Sequence, residues 1–129
     1  MSGKYLLDTN IVIALFAEDL SVQKHIARAR EIFIPSTVIG ELFFGAFKSS
    51  RPKENSTRIE NFAAVSTVLV CGIGTSREYG RIKHLLLKKG NPVPENDIWI
   101  AALAIEHDLS LVTRDEHFKN IDELKRTAW

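Results

Sequence analysis

The sequence predicts an α/β fold in which helices cover a mostly parallel β-sheet. Short apolar runs with the composition of strands recur along the chain, and the segments between them space their apolar residues as helices do. Strands that alternate with helices are typical of parallel sheets. The 129 residues are 45% hydrophobic and 26% charged, as in one soluble globular domain, so residues 1–129 are treated as a single domain. The predicted strands are residues 5–7, 32–34, 67–70 and 110–113.

The first half of the chain is predicted to contain four helices. The first follows the opening strand, and Ser21 is the expected N-cap of the second because its hydroxyl can accept a backbone N–H hydrogen bond. On the third helix Val38, Leu42 and Ala46 fall on one face, which predicts packing on a core. The predicted bounds are 11–17, 21 to about 31, 36 to the break at 49–52, and about 53–64.

The second half is predicted to contain two longer helices. After a glycine-containing turn at residues 72–74, residues 76–89 have an amphipathic pattern. The loop 90–96 holds two of the four prolines and leads to Asp97, after which residues 98–107 form a strongly apolar helix. The last five residues, 125–129, are expected to form a short edge strand or a packed tail.

Four acidic residues lie at informative places in this pattern. Asp8 and Asp115 each follow a predicted strand, Asp97 opens the apolar helix, and Glu41 lies beside the apolar face of the third helix. Each has an ordinary alternative, since the three aspartates could be N-caps and Glu41 a rim residue. However, the carboxyl ends of parallel strands share one edge of a sheet, so we expect the four carboxylates to converge there.

A carboxylate cluster without cysteine or histidine beside it favours hard divalent cations such as Mg²⁺ or Mn²⁺. Without a cation the carboxylates repel one another, which predicts raised pKa values for some of them. A bound ion would relieve the repulsion and activate a water molecule. The four acids therefore indicate metal-assisted phosphoester chemistry.

The chain resembles PIN-domain ribonucleases, and in particular the VapC-type toxins of toxin–antitoxin pairs. The resemblance covers essentially the whole chain and includes residues 79–82 and 90–93. Its motifs are LDTN at 7–10, VIGEL at 38–42, NDIWIAA at 96–102 and TRDEHF at 113–118.

The resemblance implies a three-layer α/β/α sandwich, an acidic pocket at the strand ends, Mg²⁺ or Mn²⁺ as cofactor, and cleavage of RNA. It also implies a homodimer and an antitoxin whose tail lies across the pocket. The acidic set that it implies is Asp8, Glu41, Asp97 and Asp115. The supporting polar groups are Thr9, Asn10, Asn96 and Thr113.

Within this set we assign different roles to the acids. Asp8 and Asp97 are the expected primary ligands, and Asp115 is a further ligand, direct or through water. Glu41 is expected to position the attacking water or to act as another ligand. Thr113 is expected to support the ligands rather than act as a nucleophile, because no neighbouring base accompanies it.

Basic residues on the helix 76–89 form a stripe that is a candidate RNA-binding surface, although a plain solvated face explains it equally well. A second basic group surrounds the break at 49–52. His25, His107 and His117 lack ligand spacing and are expected to be surface or local packing residues. The stripe consists of Arg77, Arg81, His84 and Lys88, and the second group of Lys48, Arg51, Lys53 and Arg58.

The remaining apolar signals are expected to be structural. The four phenylalanines are predicted to lie mostly in the core, with some lining a groove that receives the antitoxin. Cys71 is expected to be a buried small apolar residue, and a single cysteine fits a reducing cytoplasm. No apolar run approaches the roughly 20 residues that cross a bilayer, and the start lacks a signal-peptide pattern. The phenylalanines are Phe43, Phe44, Phe47 and Phe62.

Three alternatives remain at this point. The formal net charge of +1 does not by itself indicate a nucleic-acid partner. The chain could be a nuclease for RNA processing that is no toxin, or a catalytically silent domain that binds RNA or protein. A phosphatase with Asp8 as a covalent nucleophile is disfavoured, since such enzymes usually need a second aspartate where Asn10 stands.

Overall fold

The structure, a computed structural model, describes residues 3–129, and the first two residues of the predicted domain lie outside this range. It contains a five-stranded, fully parallel sheet in the order β3-β2-β1-β4-β5. The four predicted strands are confirmed within two residues at each end. The strands are β1 (Lys4–Leu7), β2 (Glu31–Pro35), β3 (Thr67–Leu69), β4 (Ser110–Val112) and β5 (Arg126–Thr127).

Six α-helices flank the sheet and confirm the predicted α/β/α sandwich. The chain passes from β1 to β2 to β3 in one direction and then returns beyond β1 to β4. Because such crossovers are right-handed, the helices of the two directions cover opposite faces. The helices are α1 (Thr9–Phe16), α2 (Leu20–Arg28), α3 (Ser36–Phe47), α4 (Pro52–Ala64), α5 (Ile73–Lys89) and α6 (Glu95–Glu106), followed by a 3₁₀ helix (Glu116–Asn120).

The core lies on both faces of the central strands. Leu6 on β1 pairs in register with Leu111 on β4, and both are fully buried. Val38, Leu42 and Ala46 are buried on α3, as predicted from their spacing. Burying an aliphatic side chain of this kind contributes about 1.5–3 kcal/mol, so the sheet edge where the strands end is firmly supported.

Several predicted helix bounds are wrong. Helix α5 begins at Ile73, three residues before the predicted start, and α2 ends at Arg28 instead of about residue 31. Asp19, not Ser21, is the N-cap of α2, and its Oδ1 accepts the Val22 N–H at 3.1 Å. Aspartate and serine are about equally good caps, so cap preference alone does not decide between Asp19 and Ser21. Helix α6 begins at Glu95 after Pro94, so Asp97 lies inside its first turn and is not a cap.

The C-terminal residues combine both predicted alternatives. Strand β5 pairs with β4 at the edge of the sheet. Trp129 then packs edge-on against Tyr5, with ring centroids 5.0 Å apart, and stacks on His25 at 5.2 Å. The predicted local packing role of His25 is therefore confirmed. None of the helices within residues 3–129 is long and apolar enough to cross a bilayer.

Two of the four phenylalanines are not core residues. Phe44 is 65% exposed and Phe47 is 68% exposed, whereas Phe43 and Phe62 are half-buried against the core. Helix α3 is apolar on nearly all sides, so the sequence did not distinguish its buried face from its exposed one. Cys71 is half-buried instead of buried, and burial, with the nearby Glu106 carboxylate, raises the pKa of its thiol. A raised pKa disfavours the reactive thiolate.

Candidate functional site

The parallel pairing of β1 with β4 places Asp8 next to Thr113. Leu7 pairs in register with Val112, so the two following residues leave the sheet side by side. The Thr113 hydroxyl donates to Asp8 Oδ2 at 2.7 Å, and the Asp8 N–H donates to the Val112 carbonyl at 3.0 Å. Asp8 and Thr113 are each only 4% exposed. The Asp8 carboxylate is therefore fixed at the floor of the site, and the predicted supporting role of Thr113 has a direct contact behind it.

The residues after Asp8 orient the same carboxylate. Its Oδ1 accepts the Thr9 N–H at 2.8 Å, which makes Asp8 the N-cap of α1, and its Oδ2 accepts from Asn10 Nδ2 at 3.2 Å. The cap is therefore observed for Asp8, and it is compatible with the predicted role of Asp8 in the site. Burial raises the pKa of Asp8, while hydrogen bonds from Thr113 and Thr9 act against that rise. The Asn10 amide also reaches Thr113 Oγ1 at 3.4 Å.

Glu41 is brought to this edge by α3. The Thr9 hydroxyl donates to Glu41 Oε1 at 2.8 Å, which links the first turn of α1 to the middle of α3. The second carboxylate oxygen, Oε2, forms no hydrogen bond within residues 3–129. Glu41 is half-buried and lines the cleft described below. One of its oxygens is therefore positioned and the other is free for water or a ligand.

Asp97 enters the site from the first turn of α6. Ala101 and Ala104 are fully buried, as expected for a helix that packs closely, and the Asp97 side chain is only 14% exposed. Burial raises the pKa of Asp97 to about 6, and repulsion from the other acids of the site adds to the shift. His117 lowers this pKa by a smaller amount. The predicted repulsion among the carboxylates is thus present at Asp97.

Asp115 completes the predicted acidic set. Its N–H donates to Thr113 Oγ1 at 3.0 Å, so one hydroxyl contacts both Asp8 and the Asp115 backbone. Its Oδ1 accepts the His117 N–H at 2.8 Å and caps the 3₁₀ helix. As with Asp8, the cap and the approach to the site are compatible.

The structure corrects the interpretation of His117. Its Nδ1 lies 2.9 Å from Asp115 Oδ1 and 3.8 Å from Asp97 Oδ2, so the histidine belongs to the acidic cluster. Its ring is half exposed to solvent but faces the cleft lining. The tight turn from Asp115 into the 3₁₀ helix brings the imidazole back over the site. One feature of the sequence indicated this position: His117 follows Asp115, the acid after a predicted strand, by two residues.

An open cleft of about 490 Å³ gives access to these groups. Asn96 lies in its wall but is exposed, and within residues 3–129 its side chain forms no hydrogen bond with the four acids. The buried Asp8 carboxylate lies beneath this cleft, in contact with Thr113 and Asn10. The cleft is lined by Glu41, Pro94, Glu95, Asn96, Asp97, Asp115 and His117.

The electrostatics of the cluster fit a divalent cation. Within the described residues 3–129, no lysine or arginine forms an ion pair with any of the four acids, and His117 is the single basic neighbour within 4 Å. Buried carboxylates without partners are costly, and a metal ion is one of the few groups that compensates them. The three groups whose ligand atoms lie within 4.8 Å of one another are Asp97, Asp115 and His117.

The predicted basic stripe lies on the outer face of α5. Arg81 is held by Glu78 and by Glu123, whose Oε1 is 2.5 Å from its Nη1. Lys83, which was not predicted, lies nearer the acidic cleft: its Nζ is 2.9 Å from Glu95 Oε2. The other stripe residues, Arg77, His84 and Lys88, are exposed.

The rim beside Lys83 is aromatic. Tyr79 stacks on Trp99 with ring centroids 4.1 Å apart, and its hydroxyl donates to Glu95. In the second basic group, Arg58 donates to the Phe16 carbonyl at 2.7 Å, so local contacts account for it. The packing of α5 against α6 decides which lysine lies near the cleft. The apolar periodicity of α5 alone does not predict which lysine this is.

Comparisons with known proteins agree with this geometry. The PIN domain family profile matches residues 5–124. Ribonuclease VapC2 of Haemophilus influenzae is 35% identical over 129 residues, covering 98% of both chains, and the tRNA(fMet)-specific endonuclease VapC of Shigella flexneri is 31% identical, again with 98% of both chains covered. The solved structure of VapBC2 from Rickettsia felis bound to a promoter DNA fragment superposes with a TM-score of 0.89 at 29% identity, covering 98% of both chains. DNA-bound VapBC from Salmonella typhimurium gives 0.90 at 28%, covering 100% of this chain and 99% of the other.

Proposed function

Since this chain belongs to the PIN-domain family, as a VapC-type ribonuclease, we propose that it is the toxin of a toxin–antitoxin pair and cuts structured RNA with the help of Mg²⁺ or Mn²⁺. The observation that carries the proposal is the cluster of four carboxylates at one sheet edge, which has no lysine or arginine partner within residues 3–129. A divalent cation that enters such a cluster relieves the repulsion among its carboxylates. A transfer RNA or a ribosomal RNA is the proposed substrate class.

In the proposed mechanism, Asp8, Asp97 and Asp115 hold the ion. When bound, the ion lowers the pKa of a water and offsets charge on the scissile phosphate. Thr113 and Asn10 keep the Asp8 carboxylate in one orientation, which preserves the arrangement between turnovers.

Glu41 has a separate task. Because the Thr9 hydroxyl occupies its Oε1, its Oε2 is free to orient the attacking water and accept a proton from it. Separate hydroxyl groups therefore orient the two acids: Thr9 donates to Glu41, and Thr113 donates to Asp8.

RNA is gripped by phosphate contacts along the rim. Lys83 pairs with Glu95 of the cleft lining, and this exposed pair contributes little to stability and exchanges readily for a phosphate. The predicted stripe is proposed to extend this surface. Its members Arg77, His84 and Lys88 are exposed, while Arg81 would first have to leave Glu78 and Glu123.

The proposed partners are an antitoxin and a second copy of the chain, both in the cytoplasm. The related structures named above are VapBC complexes. A groove of about 220 Å³ beside Glu41 is lined by apolar residues of α1 and α3, including Ile13 and Phe16, and the exposed rings of Phe44 and Phe47 lie on the same helix α3. An antitoxin segment in this groove could place a basic side chain among the acids and substitute for the charge of the ion.

The test uses purified protein freed of any partner. With Mg²⁺ or Mn²⁺ it should cut a transfer RNA or ribosomal RNA fragment, and chelator should abolish the cut. Asp8→Asn and Asp97→Asn should each lower the rate at least about 100-fold, because removing a ligand charge costs several kcal/mol. The matched control is Asp122→Asn, an exposed acid that pairs with Lys89. Expression of the wild-type chain alone should arrest growth, and expression of Asp97→Asn should not.

Cleavage that persists in chelator would contradict the metal mechanism. A near-normal rate in either site variant would contradict the ligand assignment. If overexpression of the wild-type chain without an antitoxin does not slow growth, the proposed toxin role is contradicted, while the proposed nuclease activity is not.

A further inference from the structure

The acidic site contains a nitrogen ligand, and we infer that His117 coordinates the catalytic ion together with Asp97 and Asp115. The inference rests on the proposed metal-dependent function and specifies which ions the site prefers. A cluster of carboxylates alone suits Mg²⁺ and Mn²⁺ alike, whereas an added imidazole shifts the preference away from Mg²⁺ and towards transition ions, of which Mn²⁺ serves as the probe. The sequence suggested a histidine-free site, and the position of His117 changes that expectation.

The spacing of the three groups suits one ion. In an octahedral site with bond lengths of about 2.1 Å, neighbouring ligand atoms are roughly 3 Å apart and opposite ones roughly 4 Å apart. His117 Nδ1 is 2.9 Å from Asp115 Oδ1 and 3.8 Å from Asp97 Oδ2. These two distances fit this geometry, and the ligand atoms of all three groups lie within 4.8 Å of one another.

The backbone around His117 is fixed, so its position is not that of a loose surface side chain. Its own N–H donates to Asp115 Oδ1 at 2.8 Å. The next residue, Phe118, is fully buried and anchors the 3₁₀ helix in the core. The His117 side chain is 58% exposed, and its Nδ1 is the ring nitrogen that lies near the carboxylates. The backbone therefore holds the imidazole beside the acids, with Nδ1 at ligand distance from them.

The ordinary alternative is a hydrogen bond between His117 and Asp115 outside the coordination sphere. In that arrangement the imidazole would orient Asp115 and leave the ion with oxygen ligands only. The two alternatives differ in a spectroscopic property: a nitrogen bound directly to Mn²⁺ is coupled to the electron spin through the bond and modulates the spin echo strongly, whereas a nitrogen beyond a carboxylate is coupled much more weakly.

The experiment uses the full chain freed of any antitoxin and of metal. Mn²⁺ is added, and the echo modulation from ¹⁴N is recorded for the wild type, for His117→Gln and for His25→Gln. His25 is a matched control because it is a histidine that stacks on Trp129. Calorimetric titrations with Mn²⁺ and Mg²⁺ are run on the same three proteins, and circular dichroism checks their fold.

We expect a ¹⁴N modulation in the wild type and in His25→Gln, and none in His117→Gln. The Mn²⁺ affinity should fall about 10-fold or more in His117→Gln, whereas the Mg²⁺ affinity should change less than about 3-fold. Mn²⁺ binding without a nitrogen signal would overturn the inference and leave the proposed function intact. Binding of Mg²⁺ without any binding of Mn²⁺ would also overturn the inference alone, and absence of binding of either ion would overturn both.

Discussion

Removing the charge of Asp97 should stabilise the metal-free protein even as it abolishes activity. The Asp97 side chain is 14% exposed and lies among three other carboxylates, so its ionised form is disfavoured in the folded state. Asn has nearly the same shape and no charge. We therefore expect Asp97→Asn to raise the free energy of unfolding at neutral pH.

The magnitude follows from the pKa of Asp97, which is raised from 3.8 to about 6. One pKa unit is worth about 1.4 kcal/mol, so the ionised carboxylate costs the folded state about 3 kcal/mol. Well below pH 3.8 the Asp97 carboxyl is protonated in both the folded and the unfolded state, so it does not lower the free energy of unfolding. As the pH rises towards 6 the unfolded chain releases its proton first, and stability falls; above about pH 6 the whole cost is present.

The assay is urea unfolding of wild type and Asp97→Asn in chelator at pH 4 and pH 7.5. The variant should gain about 2–3 kcal/mol at pH 7.5 and much less at pH 4, with unchanged dependence on urea concentration. Asp108→Asn is the control of opposite sign, because Lys125 holds the pKa of Asp108 below its usual value. Adding Mn²⁺ should stabilise the wild type and not Asp97→Asn. The difference in the free energy of unfolding between the two proteins should therefore become smaller.

A variant that is less stable than the wild type at pH 7.5 would refute this reasoning. It would mean that the folded state holds the Asp97 carboxylate in a favourable contact. A gain of the same size at pH 4 and pH 7.5 would also refute it, since a charge effect must disappear when the acid is protonated.

Two further predictions concern the groups around the acids. Thr113→Val removes the hydroxyl that donates to Asp8, so it should lower the metal affinity about 10- to 100-fold in calorimetry; an affinity within 2-fold of wild type would speak against this support. Lys83→Gln should weaken binding of RNA to the Asp97→Asn protein and reduce the salt dependence of the affinity by about one unit, measured by fluorescence anisotropy. The exposed Lys24→Gln is its control, and equal losses in both variants would indicate only nonspecific attraction.

Most of the fold and the acidic site could be predicted because they follow from local rules. The ends of β1 and β4 meet at one edge in any parallel sheet that pairs them, so Asp8 and Thr113 had to be close. Glu41 could be placed because its position beside Val38 and Leu42 fixes its direction on α3.

What could not be predicted depends on how elements pack. Lys83 reaches the cleft because α5 lies against α6 and Glu95 opens α6 at that point. The apolar periodicity of a helix predicts which face is buried. It does not predict which of the residues beside that face contact the neighbouring helix. The exposure of Phe44 and Phe47 could not be predicted for the same reason. An apolar side chain on a helix is buried only where another element packs over it.

The cost of the uncompensated acids links stability to control of the activity. A ligand that binds only the folded state stabilises it more as its concentration rises above its dissociation constant. A divalent ion and a basic side chain from a partner would each relieve the same unfavourable charge at Asp97. Both would occupy the one cleft between Asp97 and Asp115, and neither could enter while the other was bound. Competition for this charge, without any change of fold, is enough to make inhibition by a partner and binding of the catalytic ion mutually exclusive.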